Sequence, residues 1–269
     1  MIANDDDGAY FAARESAPPR KARLAVRHLR FDDLVQSLRQ GFVDFARAPL
    51  YGLFFGGVYA VGGWLLVALV FRLDLPFLAY PLALGFALIA PFVCAGTYEV
   101  SRTLERGGAP TWVDVLGAIW GRAGKEFGWL ALVSLFTLIL WVDFSWTFFL
   151  IFHGLRVPTL REFLAESFTT PAGLVYLVAG NAIGAGIAFL VFSITVVTPP
   201  LLVDRDIDFV TAMATSVRLV LANPLVMLAW AATIGGLMAL SIATGFLGLF
   251  VVLPVLGHAS WALYKRAVV

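Results

Sequence analysis

Ionisable or strongly polar side chains set within long apolar runs are where this sequence could do chemistry, because hydrocarbon makes such groups costly to hold without a use or a partner. The most deeply placed acid is Asp143, in Leu140-Trp141-Val142-Asp143-Phe144-Ser145-Trp146. A carboxylate there could bind a proton or a cation. The flanking tryptophans equally suit a helix end anchored at the lipid–water boundary, where an acid is tolerated. Asn181, amid Gly180, Gly184 and Gly186, could coordinate a substrate. Small residues at that spacing also let membrane helices approach closely, with a polar residue as interhelical glue. His258, in Gly257-His258-Ala259-Ser260-Trp261, could relay a proton with Glu99 or simply bond a neighbouring carbonyl. Glu99 and Arg102, three apart on one helical face, form a candidate ion pair, with a lipid headgroup or partner contact as the alternative.

Other chemistries lack their residues. Cys94 is the single cysteine, so no intrachain disulfide and no CxxC pair can form. His28, His153 and His258 fall in three separate regions, which gives a redox metal no ligand set, and neither a metal nor another cofactor is expected. No HExxH, GxSxG or paired-aspartate motif occurs within the apolar runs, and 181–186 has no phosphate-loop lysine; no catalytic residue is assigned. A net charge of +1 predicts no nucleic-acid partner.

The elements that must position these residues are membrane helices. The chain is 60% hydrophobic and 14% charged, against roughly 45–50% and about 25% in soluble domains. A helix needs about 20 apolar residues to cross the hydrocarbon with every backbone group bonded internally. Six stretches qualify, at 50–71, 77–98, 127–150, 172–199, 224–244 and 246–264. Gly245 makes the connection of the last two short, so they should form a tight hairpin. Residues 1–28 read as a flexible cytoplasmic tail, with Asp5-Asp6-Asp7 and Pro18-Pro19 and no signal-peptide core; 29–269 form the membrane domain.

Lysine and arginine set the direction, since they collect on the cytoplasmic side of short loops. With the N-terminus inside, only Arg72, Arg156 and Arg161 of the 19 basic residues fall outside. Both termini are therefore expected in the cytoplasm, at a bacterial inner membrane. The basic stretch from Arg20 to Arg30 serves orientation and could also bind anionic lipid.

Amphipathic segments lie between the spans. From Phe31 to Arg47 the apolar set is Phe31, Leu34, Val35, Leu38, Phe42 and Phe45, with Asp32, Asp33, Gln36, Arg39, Gln40 and Asp44 on the other face. Segments 112–127 and 207–221 repeat the design, and 160–168 is a weaker copy expected on the outer surface. Asp33, Asp114 and Asp208 open the three copies, and Pro49 and Pro224 each follow the acid by sixteen residues. Three parallel units are predicted, each a cytoplasmic amphipathic helix followed by a membrane hairpin. Pro91, Pro199-Pro200 and Pro254 should kink the returning helices.

Two blocks carry a family resemblance. One is Thr198-Pro199-Pro200-Leu201-Leu202 with Asp204-Arg205, Asp208, Thr211-Ala212, Thr215-Ser216, Asn223-Pro224-Leu225, Trp230, Leu256-Gly257-His258-Ala259, Trp261 and Leu263-Tyr264. The other is Ala90-Pro91 through Gly96, then Tyr98, Glu99, Ser101-Arg102, Leu104-Glu105 and Gly107. Through these, nearly the whole chain after the tail resembles the predicted bacterial integral membrane proteins known as domain of unknown function 2189. The resemblance implies a multi-helix membrane fold and carries over no catalytic residue. The expected function is a non-enzymatic scaffold or accessory subunit, with membrane lipid or another membrane complex as partner. The alternative is a small-solute or ion transporter using Asp143, Asn181 and His258.

Overall fold

The computed structural model describes residues 24–72, 79–120, 123–156, 158 and 160–269. Most of the expected tail, the first inter-span loop and the start of the second expected span lie outside the described residues. Among them the chain is helical: α1 Phe31–Arg47, α2 Pro49–Phe71, α3 Ala79–Glu105, α4 Trp112–Trp120, α5 Ala123–His153, α6 Leu160–Thr169, α7 Pro171–Thr195, α8 Thr198–Asp204, α9 Phe209–Ala222, α10 Pro224–Ala243 and α11 Leu249–Ala267.

Proline sets several boundaries. The residue before a proline is pushed out of helical conformation, while proline itself suits the first turn of the next helix. Ala48 and Asn223 accordingly break α1 from α2 and α9 from α10 at φ −137°, ψ 54° and φ −137°, ψ 52°. Sixteen residues separate the acid from the proline in each copy, and the two breaks have the same backbone shape. Pro199 and Pro200 do more than kink their helix: α7 ends at Thr195 and α8 begins afresh at Thr198. Ser216 of α9 patches this gap, its hydroxyl donating to the Ser193 carbonyl at 2.8 Å and accepting from the Val197 N–H at 3.4 Å.

Among the described residues four helical stretches have the length and apolarity to cross a membrane: Pro49–Leu69, Lys125–His153, Pro171–Asp204 (α7 with α8) and Pro224–Ala243. They match the first, third, fourth and fifth expected spans. By the same measure α3 and α11 are not among them. α11 carries Pro254, His258, Lys265 and Arg266, and it lies in the middle of the molecule, where neighbouring helices rather than lipid surround it.

Its neighbours are chiefly α1 and α2. Added Cβ atoms on Gly41, Gly52 and Gly56 would come within 2.5–2.8 Å of the Val255 carbonyl, Phe45 and Pro254, and the Leu249 carbonyl. These glycines therefore set the close approach of α1 and α2 to α11. α10 joins α11 through a tight turn in which Gly245 and Phe246 both take positive φ, and the two helices touch less than α11 touches α1.

The core sits at one end of the bundle, its base. There Tyr98, Phe127, Leu201, Leu219, Met227, Trp230, Leu263 and Tyr264 interlock. The N-terminal segment and the C-terminus meet at the same end through a Val26–Val268 bridge, with Arg27 N–H donating to the Ala267 carbonyl at 2.9 Å and Val269 N–H to Ala25 at 3.0 Å. Away from the base α5, α7 and α10 expose rows of large side chains, among them Phe136, Leu140, Val178, Leu190 and Leu240, while Phe148 and Phe152 of α5 still pack on Tyr176 of α7. Only 17% of the most apolar window of α5 is buried. Water would not tolerate so much contiguous apolar surface, and hydrocarbon does.

Candidate functional site

Three arrangements gather the polar groups. The first is a buried chain between α1, α3 and α11. Gln40 Nε2 donates to Asp44 Oδ1 at 2.7 Å, Asp44 lies beside Ser101, and Ser101 Oγ lies 2.6 Å from His258 Nδ1. Asp44 is 5% exposed and His258 1%. Burial pushes the Asp44 carboxyl above its ordinary range, against the lowering pull of the Gln40 hydrogen bond and the Arg47 charge. The Nε2 atom of His258 is buried with no hydrogen-bond partner. On sequence periodicity Asp44 belongs to the outward polar face of α1. The structure turns it inward, because Gly41 and Ser37, on the same side, let α1 lie against α11.

The second is a clamp at the base. Glu99 and Arg102 pair at 2.7 Å, and Arg102 Nη1 also donates to the Val203 carbonyl at 3.2 Å, tying α3 to α8. Tyr264 OH donates to Asp204 Oδ2 at 2.6 Å, and Lys265 Nζ reaches Asp204 at 3.4 Å and Glu105 at 3.6 Å. Trp261 Nε1 donates to Glu105 at 3.1 Å. A cavity of about 530 Å³ opens beside the clamp, lined by Glu99, Arg102, Asp114, Glu126, Asp204 and Arg205 among others. Glu126 accepts the Phe209 N–H at 2.9 Å, so its carboxylate also ties helices together.

The third is a lateral groove of about 830 Å³ between α5 and α7. Its walls are mainly Leu138, Trp141, Phe144, Phe148, Tyr176 and Ile187, and its polar groups are Ser134, Thr137, Ser145 and Asn181. Trp141 fills the space over Gly184 and Phe148 that over Gly180. The small residues of α7 thus seat the aromatic rings of α5. Ser134, Ser145 and Asn181 Nδ2 each donate to the carbonyl four residues earlier on their own helix, at 3.0, 2.7 and 2.7 Å.

The residues singled out from sequence therefore occupy different places. Asn181 lines the groove, Asp143 stands exposed on α5 outside its lining, and His258 lies in the core beside Ser101. Glu99 binds Arg102, and it is Ser101 that meets His258. Among the described residues no three His, Cys, Asp or Glu side chains are grouped to hold a metal ion.

Sequence reasoning also passed over Asn223 as a contact residue. Its Oδ1 accepts the Leu29 N–H at 2.6 Å, and its Nδ2 donates to the carbonyls of Arg27 at 3.0 Å and Leu219 at 3.1 Å. It straps the N-terminal segment to the α9–α10 break. An asparagine directly before a helix-starting proline was the available signal.

No curated protein and no solved structure matches the chain. A family model does match residues 79–204, spanning α3 through α8, with the Ala90–Gly107 block and Thr198 to Asp204 inside it and the block beyond Asp204 outside. That region matches the family described as a predicted integral membrane protein, domain of unknown function 2189, and with its apolar helices the chain is a multi-pass membrane protein.

Proposed function

We propose that this protein is a non-enzymatic membrane scaffold or accessory subunit that binds another membrane complex or lipid. One observation carries the reading: the polar groups at the base tie helices and termini to one another, while α5, α7 and α10 present an apolar exterior with an open lateral groove. His258 is too enclosed to meet a soluble substrate. Affinity purification of the tagged protein from its membrane in mild detergent tests the reading. A stoichiometric membrane protein or bound lipid supports it; clean recovery of the chain alone sinks it.

The finer topology belongs to the same proposal. Six spans form three parallel hairpins, each preceded by an amphipathic helix, with both termini in the cytoplasm of a bacterial inner membrane. The meeting of Val26 with Val268 at one end favours an even number of crossings, the matched breaks at Ala48 and Asn223 favour a repeat, and the basic residues favour the direction.

The break between α7 and α8 keeps a second reading in play, since discontinuous membrane helices often line solute sites. A transporter using Asp143, Asn181 and His258 predicts lost flux in Asp143→Asn, Asn181→Leu and His258→Phe proteoliposomes. Unchanged flux in all three variants would remove that reading.

A further inference from the structure

The side that α1 buries is Leu34, Ser37, Gly41 and Asp44, largely small or polar. At about 100° per residue this turns the neighbouring apolar edge outward, leaving Phe31, Val35 and Phe42 at 57%, 66% and 59% exposure. The exposed edge runs on into Leu50, Leu53 and Phe54 at the start of α2. It thus lies at the level where a membrane-length helix begins. Arg39, four residues after Val35 and three before Phe42, borders the edge on the side away from α11, and Arg27, Arg30 and Arg47 are exposed along the same segment. The acids of α1 offset this only in part. Asp32 is exposed, Asp33 accepts the Arg30 N–H at 2.7 Å, and Asp44 is buried.

We propose that α1 is a docking surface for anionic phospholipid, with Phe31, Val35 and Phe42 seated among the acyl chains and Arg30 and Arg39 on the headgroup phosphates. Charge complementarity and continuity with the lipid-facing foot of α2 select this occupant: arginine matches phosphate in a bidentate geometry, and an in-plane helix with an apolar edge bordered by arginine takes both halves of a lipid. The proposal rests on the membrane reading and names the lipid that the scaffold would hold.

The full chain, reconstituted in phosphatidylcholine vesicles with trace spin-labelled phosphatidylglycerol or phosphatidylcholine, gives the test by electron paramagnetic resonance. The motionally restricted fraction should be several-fold larger for phosphatidylglycerol and should fall with salt. Arg30→Gln with Arg39→Gln should lower that preference by at least twofold. Each arginine accounts for at most about fivefold, the ratio equivalent to about 1 kcal/mol. Arg30→Lys with Arg39→Lys, which keeps the charge without the bidentate geometry, should lower it less than the glutamine pair does, and Arg161→Gln on α6 should keep it. Equal restriction of the two lipids, or a preference that the double glutamine variant retains, overturns the proposal and leaves the membrane reading standing. No restricted component for either lipid overturns both.

Discussion

At the residue scale, the buried polar side chains hold places in the chain that no apolar residue of similar size could hold. Asn223 satisfies the Leu29 N–H and the Arg27 carbonyl at once. Asn223→Leu should therefore cost about 1–3 kcal/mol, the usual consequence of leaving buried backbone groups unpaired. It should also speed proteolysis near residue 27 in folded protein. Thermal unfolding in detergent and limited digestion read the two effects, and an unchanged profile in both would show that the strap carries no stability. Asp44 makes a prediction with a sign. Its folded pKa stands above the ordinary 3.8, so the folded state binds the proton more tightly than the unfolded state does. Stability from this group is greatest at low pH and is lost as pH rises through the folded pKa. Relative to Asp44→Asn, the unfolding midpoint of the native chain should rise on acidification toward pH ~4; a constant gap would mean that Asp44 does not titrate in this way.

At the element scale, α11 is clasped by α1 and α2 through glycine. Gly41→Ala would drive a methyl onto the Val255 carbonyl and the Ala259 nitrogen, both backbone atoms that cannot swing away. A loss of about 1–3 kcal/mol is expected. Gly235 and Gly236 on α10 have nothing near an added Cβ, and Gly235→Ala should be neutral or slightly stabilising because alanine favours helix. Equal effects of the two substitutions on unfolding midpoint would contradict the clasp. The break between α7 and α8 is maintained from α9. Ser216→Ala should leave the Ser193 carbonyl and Val197 N–H without their shared partner and cost about 1–3 kcal/mol, whereas Ser193→Ala, whose hydroxyl bonds only the Phe189 carbonyl of its own helix, should cost less.

At the scale of the whole molecule, a packed base joins helices that turn apolar surface outward. Residues 25–27 and the C-terminal residues meet there through backbone hydrogen bonds, so reporters fused to the two ends should give the same sidedness in intact cells. Opposite sidedness would require an odd number of crossings and would break the repeat. Much of this was legible in the sequence by itself. Apolar run length identified four membrane-length helices, prolines at 49 and 224 marked two breaks, and amphipathic periodicity located α1, because these are local properties that a span of ten to twenty residues determines by its own hydrogen bonding and solvent. What surrounds each helix was decided only by tertiary structure. Periodicity assigned Asp44 to the polar face of α1 away from its apolar set, and run length marked α11 as a span without saying what surrounds it; α1 places Asp44 beside Ser101, and α1, α2 and α3 pack around α11. In the same way His258 meets Ser101, distant in sequence by 157 positions. Close approach through Gly41, Gly52 and Gly56 depends on two helices meeting, and no single segment encodes its own neighbour.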